Sequence, residues 1–186
     1  MKKVFLTLFL LVFTIYYSQV SEFAKIDKIV GEKYRAIEKK YKKKFPEERQ
    51  QEIAAVNKFR KESYKKAIDF IQKDDINIDF NSIPRDFTKE AEYETGMSGF
   101  RNLFSENFDA SELEGGKGTI KCVVKFLINE NGKVSNIIAE GSDFDFNQEA
   151  LITFYKISEK GKWKPAEKDG VPVKSVFQMP LTMNFE

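Results

Sequence analysis

The chain ends in a run of residues that alternates between apolar and polar side chains. Every second residue from Val171 to Phe185 is apolar, and Ser175 is the one exception. Strict alternation with a period of two predicts a β-strand that buries one face. Pro180 lies inside the run on the other parity. Because proline has no N–H group to donate to a neighbouring strand, the run predicts a last strand at the edge of its sheet.

A helix and a hairpin are predicted upstream of that run. Residues 95–107 are predicted to form a helix, because their apolar residues recur at helical spacing: Met97, Phe100 and Phe104. The even-numbered residues of 120–128 are apolar and predict a strand, with Cys122 as a small core residue among them. The Asn131-Gly132 dipeptide is typical of a hairpin turn, and residues 133–141 are predicted to return as the second strand.

A second helix follows the hairpin. Asp145 and Gln148 have the spacing of a capping box, which predicts the start of the helix, and Gly161 suits the left-handed position after its end. Its predicted inner face consists of Phe146, Ala150, Leu151, Phe154 and Ile157. The order of elements from residue 95 onward predicts an α+β fold with two helices packed on a small antiparallel sheet.

Residues 1–19 have the composition of a secretory signal peptide. Two lysines precede a mostly apolar stretch over residues 4–17, and Ser18 is a small residue of the kind that precedes a cleavage site. The apolar stretch is shorter than the roughly 20 residues that a membrane helix needs. We therefore expect cleavage near Ser18/Gln19 and export, with an uncleaved anchor as the alternative.

Residues 20–73 read as a charged helical module that precedes the α+β domain. Two apolar stripes are separated by Pro46, which predicts either an αα-hairpin or one kinked helix. The module holds 16 Lys and Arg against nine Asp and Glu, whereas residues 74–186 hold 13 against 20. The pattern leaves open a solvated helix surface, contact with an anionic envelope surface, and docking onto the protein's own acidic half. Nucleic acid is not expected as a partner of an exported chain.

The composition argues against an enzyme. The chain has no histidine and one cysteine, so the commonest general base and the thiolate clusters that bind metals are missing. Residues 74–94 are predicted to be a polar linker, in which Asp74, Asp75 and Asp79 lack the spacing of a calcium loop. Asp143 and Asp145 are interpreted as turn and capping residues, not as a catalytic pair. We therefore predict no catalytic residue, no cofactor and no metal site.

Residues 95–186 also carry a series of short sequence motifs. In chain order they are Gly96-Met97, Phe100-Arg101, Gly118, 124–128, 131–134, Ala150, Trp163-Lys164-Pro165-Ala166, Gly170-Val171-Pro172-Val173, Pro180 and Phe185. Together these motifs resemble the C-terminal domain of the TonB family of periplasmic energy transducers. The Trp-Lys-Pro-Ala motif, followed at this distance by Gly-Val-Pro-Val, carries most of the specificity of the resemblance.

The resemblance implies a function as well as a fold. In the TonB family this domain is a non-enzymatic adaptor, which holds the N-terminal segment of an outer-membrane receptor as an extra strand beside its own last strand. It thus implies a periplasmic adaptor in transmembrane transport, and four structural motif residues: Trp163, Pro165, Gly170 and Pro172. The residues it implies for binding the partner strand are Ser175, Val176, Phe177, Gln178, Met179, Leu181, Thr182, Met183 and Asn184.

The chain departs from the family pattern before residue 95. Family members usually have an uncleaved anchor and a long proline-rich spacer, whereas this chain has a leader that we expect to be cleaved and five prolines in all. We therefore expect an adaptor without full energy-transducer activity. The alternative class is a structural protein of the cell envelope that self-associates through residues 20–73. The residues also leave open whether the protein is a monomer or a homodimer.

Overall fold

A computed structural model describes most of the chain in two compact units, Met1–Lys73 and Asp74–Glu186. The boundary between the units coincides with the predicted end of the helical module. Residues 2–21 are described by their backbone alone. The described residues are 2–73, 78–110, 113, 118–158 and 160–185.

The first unit is an αα-hairpin of two long helices, α1 (Lys2–Tyr41) and α2 (Glu47–Gln72). Pro46 is the residue that precedes α2, one position earlier than its predicted place inside the helix. The two apolar stripes face each other, and their buried members are Phe23, Ile26, Val30, Ile37, Val56, Tyr64, Ala67 and Ile68. A hairpin forms because each helix is amphipathic and can bury its stripe against the other.

Polar contacts between the helices set the register of this hairpin. The Tyr64 hydroxyl donates to Asp27, and the Tyr34 hydroxyl donates to Asn57. Since α2 ends eight residues after Tyr64, its end lies level with about residue 19 of α1. The part of α1 before residue 19, which we predict to be a signal peptide, therefore extends past the end of α2. No helix of the described residues has both the length and the apolarity of a membrane span.

The second unit is built on a three-stranded antiparallel sheet. Its strands are β2 (Gly118–Ile128), β3 (Val134–Gly141) and β7 (Ser175–Phe185), in the order β3-β2-β7. Two helices, α3 (Gly96–Asn107) and α4 (Phe144–Ile157), pack on the face formed by the even-numbered residues of β2. The predicted α+β fold is therefore confirmed.

Aromatic side chains fill the core between these helices and the sheet. Phe126 of β2 lies 4.8 Å from Phe154 of α4 and 5.5 Å from Trp163, measured between ring centroids. Phe100 of α3 lies 5.4 Å from Phe154 and 5.1 Å from Trp163. Such edge-to-face and tilted pairs add to the stability that burial alone provides. Trp163 thus joins α3 to the sheet.

Short strands surround this core, and they correct the prediction of a linker over residues 74–94. β1 (Glu92–Tyr93) pairs with β4 (Trp163–Lys164), and Lys89 forms a bridge with Glu167. The described part of the segment is therefore integrated into the second unit by main-chain hydrogen bonds. Of the three acidic residues of the rejected calcium loop, Asp74 and Asp75 lie outside the described residues. The Asp79 carboxylate accepts a hydrogen bond from the Asn81 N–H, as in a local turn.

The structure also divides the C-terminal run into two strands. β5 (Ala166–Lys168) and β6 (Val171–Val173) form a small hairpin, and β7 begins at Ser175 after a break at Lys174. The sequence predicted one continuous strand here. The break transfers the chain from the small hairpin to the main sheet.

Two predictions about the ends of α4 are wrong. The residue that caps its N-terminus is Asp143, whose carboxylate accepts a hydrogen bond of 2.7 Å from the Phe146 N–H. Asp145 lies inside the first turn instead. Gly161 lacks the left-handed conformation, and a Cβ atom there would lie 1.7 Å from the Tyr93 hydroxyl. Close packing of the Tyr93 ring, which the sequence did not predict, explains this glycine.

Candidate functional site

The strand β7 forms one edge of the main sheet, as Pro180 predicted. It pairs with β2 over its whole length, from Ser175 opposite Ile128 to Phe185 opposite Gly118, without a shift of register. No strand in the described part of the chain pairs with its other side. A row of main-chain donors and acceptors is therefore available along this side, which we call the open edge of β7.

Pro180 indicates which residues of β7 face the open edge. In an antiparallel ladder the main-chain groups of successive residues alternate between the two sides of the strand. Pro180 lies opposite Val123 in an uninterrupted ladder, although it has no N–H group. We infer that Pro180 and the other even-numbered residues direct their main-chain groups away from β2. The donors on the open edge are then the N–H groups of Val176, Gln178, Thr182 and Asn184.

The side chains of β7 divide in the same way between the two faces of the sheet. Ser175 and Met179 are buried, and Phe177, Leu181 and Met183 are half-buried against the core. Gln178, Thr182 and Asn184 are exposed on the opposite face. The residues predicted to bind a partner strand thus separate into a set that anchors β7 and a set that is accessible. The accessible set consists of the exposed Gln178, Thr182 and Asn184 and the half-buried Val176 on the same face.

Trp163 supports β7 from inside the core. Its ring is 5% exposed and lies 5.2 Å from the Phe177 ring. The main chain of Trp163 also lies against the β2–β3 turn, because a Cβ atom on Gly132 would lie 2.0 Å from the Trp163 carbonyl oxygen. Gly132 has a φ angle of 75°, which favours glycine for a second reason. Two of the recognised sequence motifs, Asn-Gly and Trp-Lys-Pro-Ala, therefore meet in the structure.

The other structural motif residues lie in and beside the β5–β6 hairpin. Asp169 and Gly170 both have positive φ angles, as a tight two-residue hairpin turn requires. Pro172 is exposed and lies opposite Glu167, while Pro165 is half-buried between β4 and β5. A shallow cavity of about 290 Å³ lies next to this hairpin, lined in part by Pro172 and Asp86. The hydrogen bond from Lys168 lowers the pKa of the exposed Asp86 carboxyl.

Cys122 and Asp143 of the second unit have roles in packing and helix capping. Cys122 is 2% exposed, and burial raises the pKa of its thiol to about 11, so the reactive thiolate is scarce at neutral pH. The Asp143 carboxylate caps α4. Within the described ranges, no group of three or more Cys, Asp or Glu side chains is placed to hold a metal ion. The arrangement that stands out chemically is therefore the open edge of β7.

Sequence reasoning missed the contribution of residues 86–94. The Thr88 and Lys89 N–H groups both donate to the Glu167 carbonyl oxygen, and the Tyr93 ring lies 5.3 Å from Trp163. A signal was present in the sequence, because Phe87, Ala91 and Tyr93 are apolar and share one parity. The four acidic residues of this segment obscured the alternation.

The chain was compared with known proteins. No protein-family model matches it, and no curated protein is significantly similar to it in sequence. The resemblance to TonB C-terminal domains therefore stays a prediction that rests on the motifs quoted above.

Proposed function

We propose that this protein is an exported, non-enzymatic adaptor that binds an extended peptide along the open edge of β7. The partner in this proposal is the N-terminal segment of an outer-membrane receptor, and the setting is TonB-dependent transport in the periplasm. One observation supports the proposal above all others: β7 offers eleven residues in unbroken register with no neighbour on its outer side among the described strands.

A long and regular edge needs an explanation, because it invites pairing with other chains. Proteins usually protect edge strands by shortening, bulging or covering them. The opposite edge of this sheet, β3, is protected in that way. Its register shifts between Lys125 and Leu127, where Asn136 adopts a φ angle of 50°. One edge of the sheet is protected and the other, β7, is regular, which favours β7 as a binding site.

Strand addition at β7 would use main-chain hydrogen bonds for affinity and neighbouring side chains for selectivity. The four N–H donors of the open edge are spaced along almost the whole strand, and Pro180 leaves one gap among them. A bound peptide therefore has a preferred register, in which no carbonyl group needs the missing donor at Pro180. The Trp163 ring packs against Phe177 of this strand. We expect this packing to order β7 before a partner arrives, which reduces the entropic cost of binding.

A titration followed by NMR tests this proposal. Isotope-labelled protein is mixed with N-terminal peptides of outer-membrane receptors from the same cell. The proposal predicts chemical-shift changes concentrated at residues 175–184, and a peptide of scrambled sequence serves as the control. If a receptor peptide binds but shifts residues elsewhere, strand addition at β7 is wrong.

A second candidate function is self-association through the helical hairpin. Ile29, Phe59 and Phe70 remain exposed on the hairpin and line a groove of about 580 Å³. Glu22 and Lys66 lie at the same groove, so two copies related by a two-fold axis can place opposite charges against each other. Sedimentation of the protein over a range of concentrations tests this candidate, and Phe70→Ser is predicted to lower the association constant.

A further inference from the structure

The turn of the helical hairpin concentrates positive charge. Five lysines lie within six residues, and all five side chains are exposed: Lys39, Lys40, Lys42, Lys43 and Lys44. We call residues 39–45 the hairpin-turn patch. We propose that this patch binds the surface of a lipid bilayer that contains anionic phospholipids. The proposal concerns the first unit and does not depend on strand addition at β7.

Most of the charge in this patch is not neutralised by the protein. Lys40 pairs with Glu52, but the other four lysines form no ion pair with any residue that the structure describes. The acidic residues nearest in sequence are Glu38, which pairs with Arg49, and Glu47 and Glu48 at the start of α2. Positive charge therefore predominates at the turn, where an anionic surface can approach it.

The backbone of the turn gives no conformational reason for a lysine at positions 42 and 43. Lys42 and Lys43 have φ angles of 44° and 69°, in the left-handed region that glycine adopts most easily. Asparagine or glycine would fit this turn better than lysine does. Residues that oppose the local backbone preference point to a functional site.

An exposed aromatic ring accompanies the charge. Phe45 is 70% exposed, and the guanidinium group of Arg49 lies 4.6 Å from the centre of its ring. Lysines that surround an exposed phenylalanine are typical of proteins that bind membrane surfaces, where the ring enters the headgroup region and the lysines meet lipid phosphates. A soluble polyanion or an acidic protein surface would use the lysines but would not explain the exposed ring.

Vesicle flotation tests the proposal. The exported protein is purified and its N-terminus is determined by mass spectrometry, because a retained apolar leader would itself enter lipid. Binding is measured to vesicles of phosphatidylglycerol with phosphatidylcholine, and to vesicles of phosphatidylcholine alone. The proposal predicts binding to the anionic vesicles that weakens with added salt, and at most weak binding to the neutral ones.

Matched variants locate the binding surface. Lys42→Gln with Lys43→Gln is predicted to lower partitioning onto anionic vesicles roughly 30-fold, and Phe45→Ser is predicted to lower it several-fold. The control is Lys58→Gln with Lys65→Gln, which removes the same charge from exposed positions in the middle of α2 and is predicted to have less than about threefold effect. Circular dichroism verifies that each variant is folded.

Three results would overturn the proposal. The first is equal binding of the processed protein to anionic and neutral vesicles, or to neither. The second is an equal loss of binding in the turn variant and the α2 control, which would assign the effect to net charge. The third is a turn variant that is less stable and equally bound, which would place the lysines in a contact within the protein.

Discussion

The two outer strands of the main sheet are built differently, although both pair with the same central strand. β3 has eight residues, and its register shifts where two of its residues, Asn136 and Ile137, face Phe126 alone. β7 has eleven residues and pairs without a shift. A β-bulge twists an edge strand and hinders its pairing with a further strand, whereas a regular edge strand can pair with one. The difference in register favours β7 over β3 as the edge that accepts a partner strand.

Removing the ring that supports β7 is expected to have the largest effect on this comparison. Trp163→Ala is predicted to lower the free energy of unfolding by about 3–5 kcal/mol, because a buried ring in contact with several aromatic rings is lost. Trp163→Phe is the matched control and should cost about half as much. Chemical denaturation measures both variants. A change under about 1 kcal/mol for Trp163→Ala would show that the ring does not support the sheet.

Proline substitutions in β7 and in β3 test whether the two edges differ in peptide binding. Gln178→Pro is predicted to weaken peptide binding about 100-fold, because it removes one donor of the open edge and its ring obstructs the neighbouring strand. Stability should change by less than about 1 kcal/mol, since no bond to β2 is lost. Binding of a fluorescent receptor peptide measures the effect, and Gln178→Thr, which keeps the N–H group, is the control.

The equivalent change on the other edge is Ala139→Pro. Val124 lies opposite both Met179 and Ala139, and a residue that bonds to one neighbour does not bond to the other, so the Ala139 N–H faces away from β2. This variant is predicted to bind the peptide as the unchanged protein does. Equal losses in Gln178→Pro and Ala139→Pro would contradict the division between the edges.

Removing the N-terminal cap of α4 is expected to have an effect of intermediate size on stability. Asp143→Ala is predicted to lower the free energy of unfolding by about 1 kcal/mol, because the Phe146 N–H loses its acceptor. Peptide affinity should be unchanged, since α4 begins next to the β3 edge. Thermal unfolding and peptide titration of the same sample give both values. Asp143→Asn retains an acceptor and is expected to recover most of the stability.

The smallest effect is expected at the start of β7. Ser175 is 3% exposed, and its hydroxyl oxygen has no hydrogen-bond partner. Ser175→Ala is therefore predicted to change the free energy of unfolding by about 0–1 kcal/mol in the stabilising direction. Denaturation curves test this, and a loss above that range would indicate a partner for the hydroxyl, such as a bound water.

Local sequence patterns predicted most of the elements of the second unit. Alternation located β2 and β7, the Asn131-Gly132 turn located β3, helical spacing located α3 and α4, and Pro180 predicted the edge position of β7. These signals are strong because burial on one face imposes a period on the sequence. The two helices of residues 20–73 were also visible in the sequence, which left open whether they form an αα-hairpin or one kinked helix.

Features that depend on contacts between residues distant in sequence could not be predicted from local patterns. The pairing of β1 with β4 joins Tyr93 to Trp163, and the tight packing of Tyr93 on Gly161 depends on that pairing. Asp143 and Asp145 are both suitable caps, and their three-dimensional setting decides between them. The split between anchoring and accessible residues of β7 likewise required the register with β2.

Hydrogen exchange of individual amides in β7 tests whether the outer side of this strand is open and binds a peptide. In the free protein we expect slow exchange of the amides of Phe177, Met179, Leu181 and Met183, because they bond to β2. The amides of Val176, Gln178, Thr182 and Asn184 should exchange fast, and a receptor peptide should protect them. Slow exchange of both sets without peptide, or fast exchange of the second set with saturating peptide, would contradict an open edge that binds a strand.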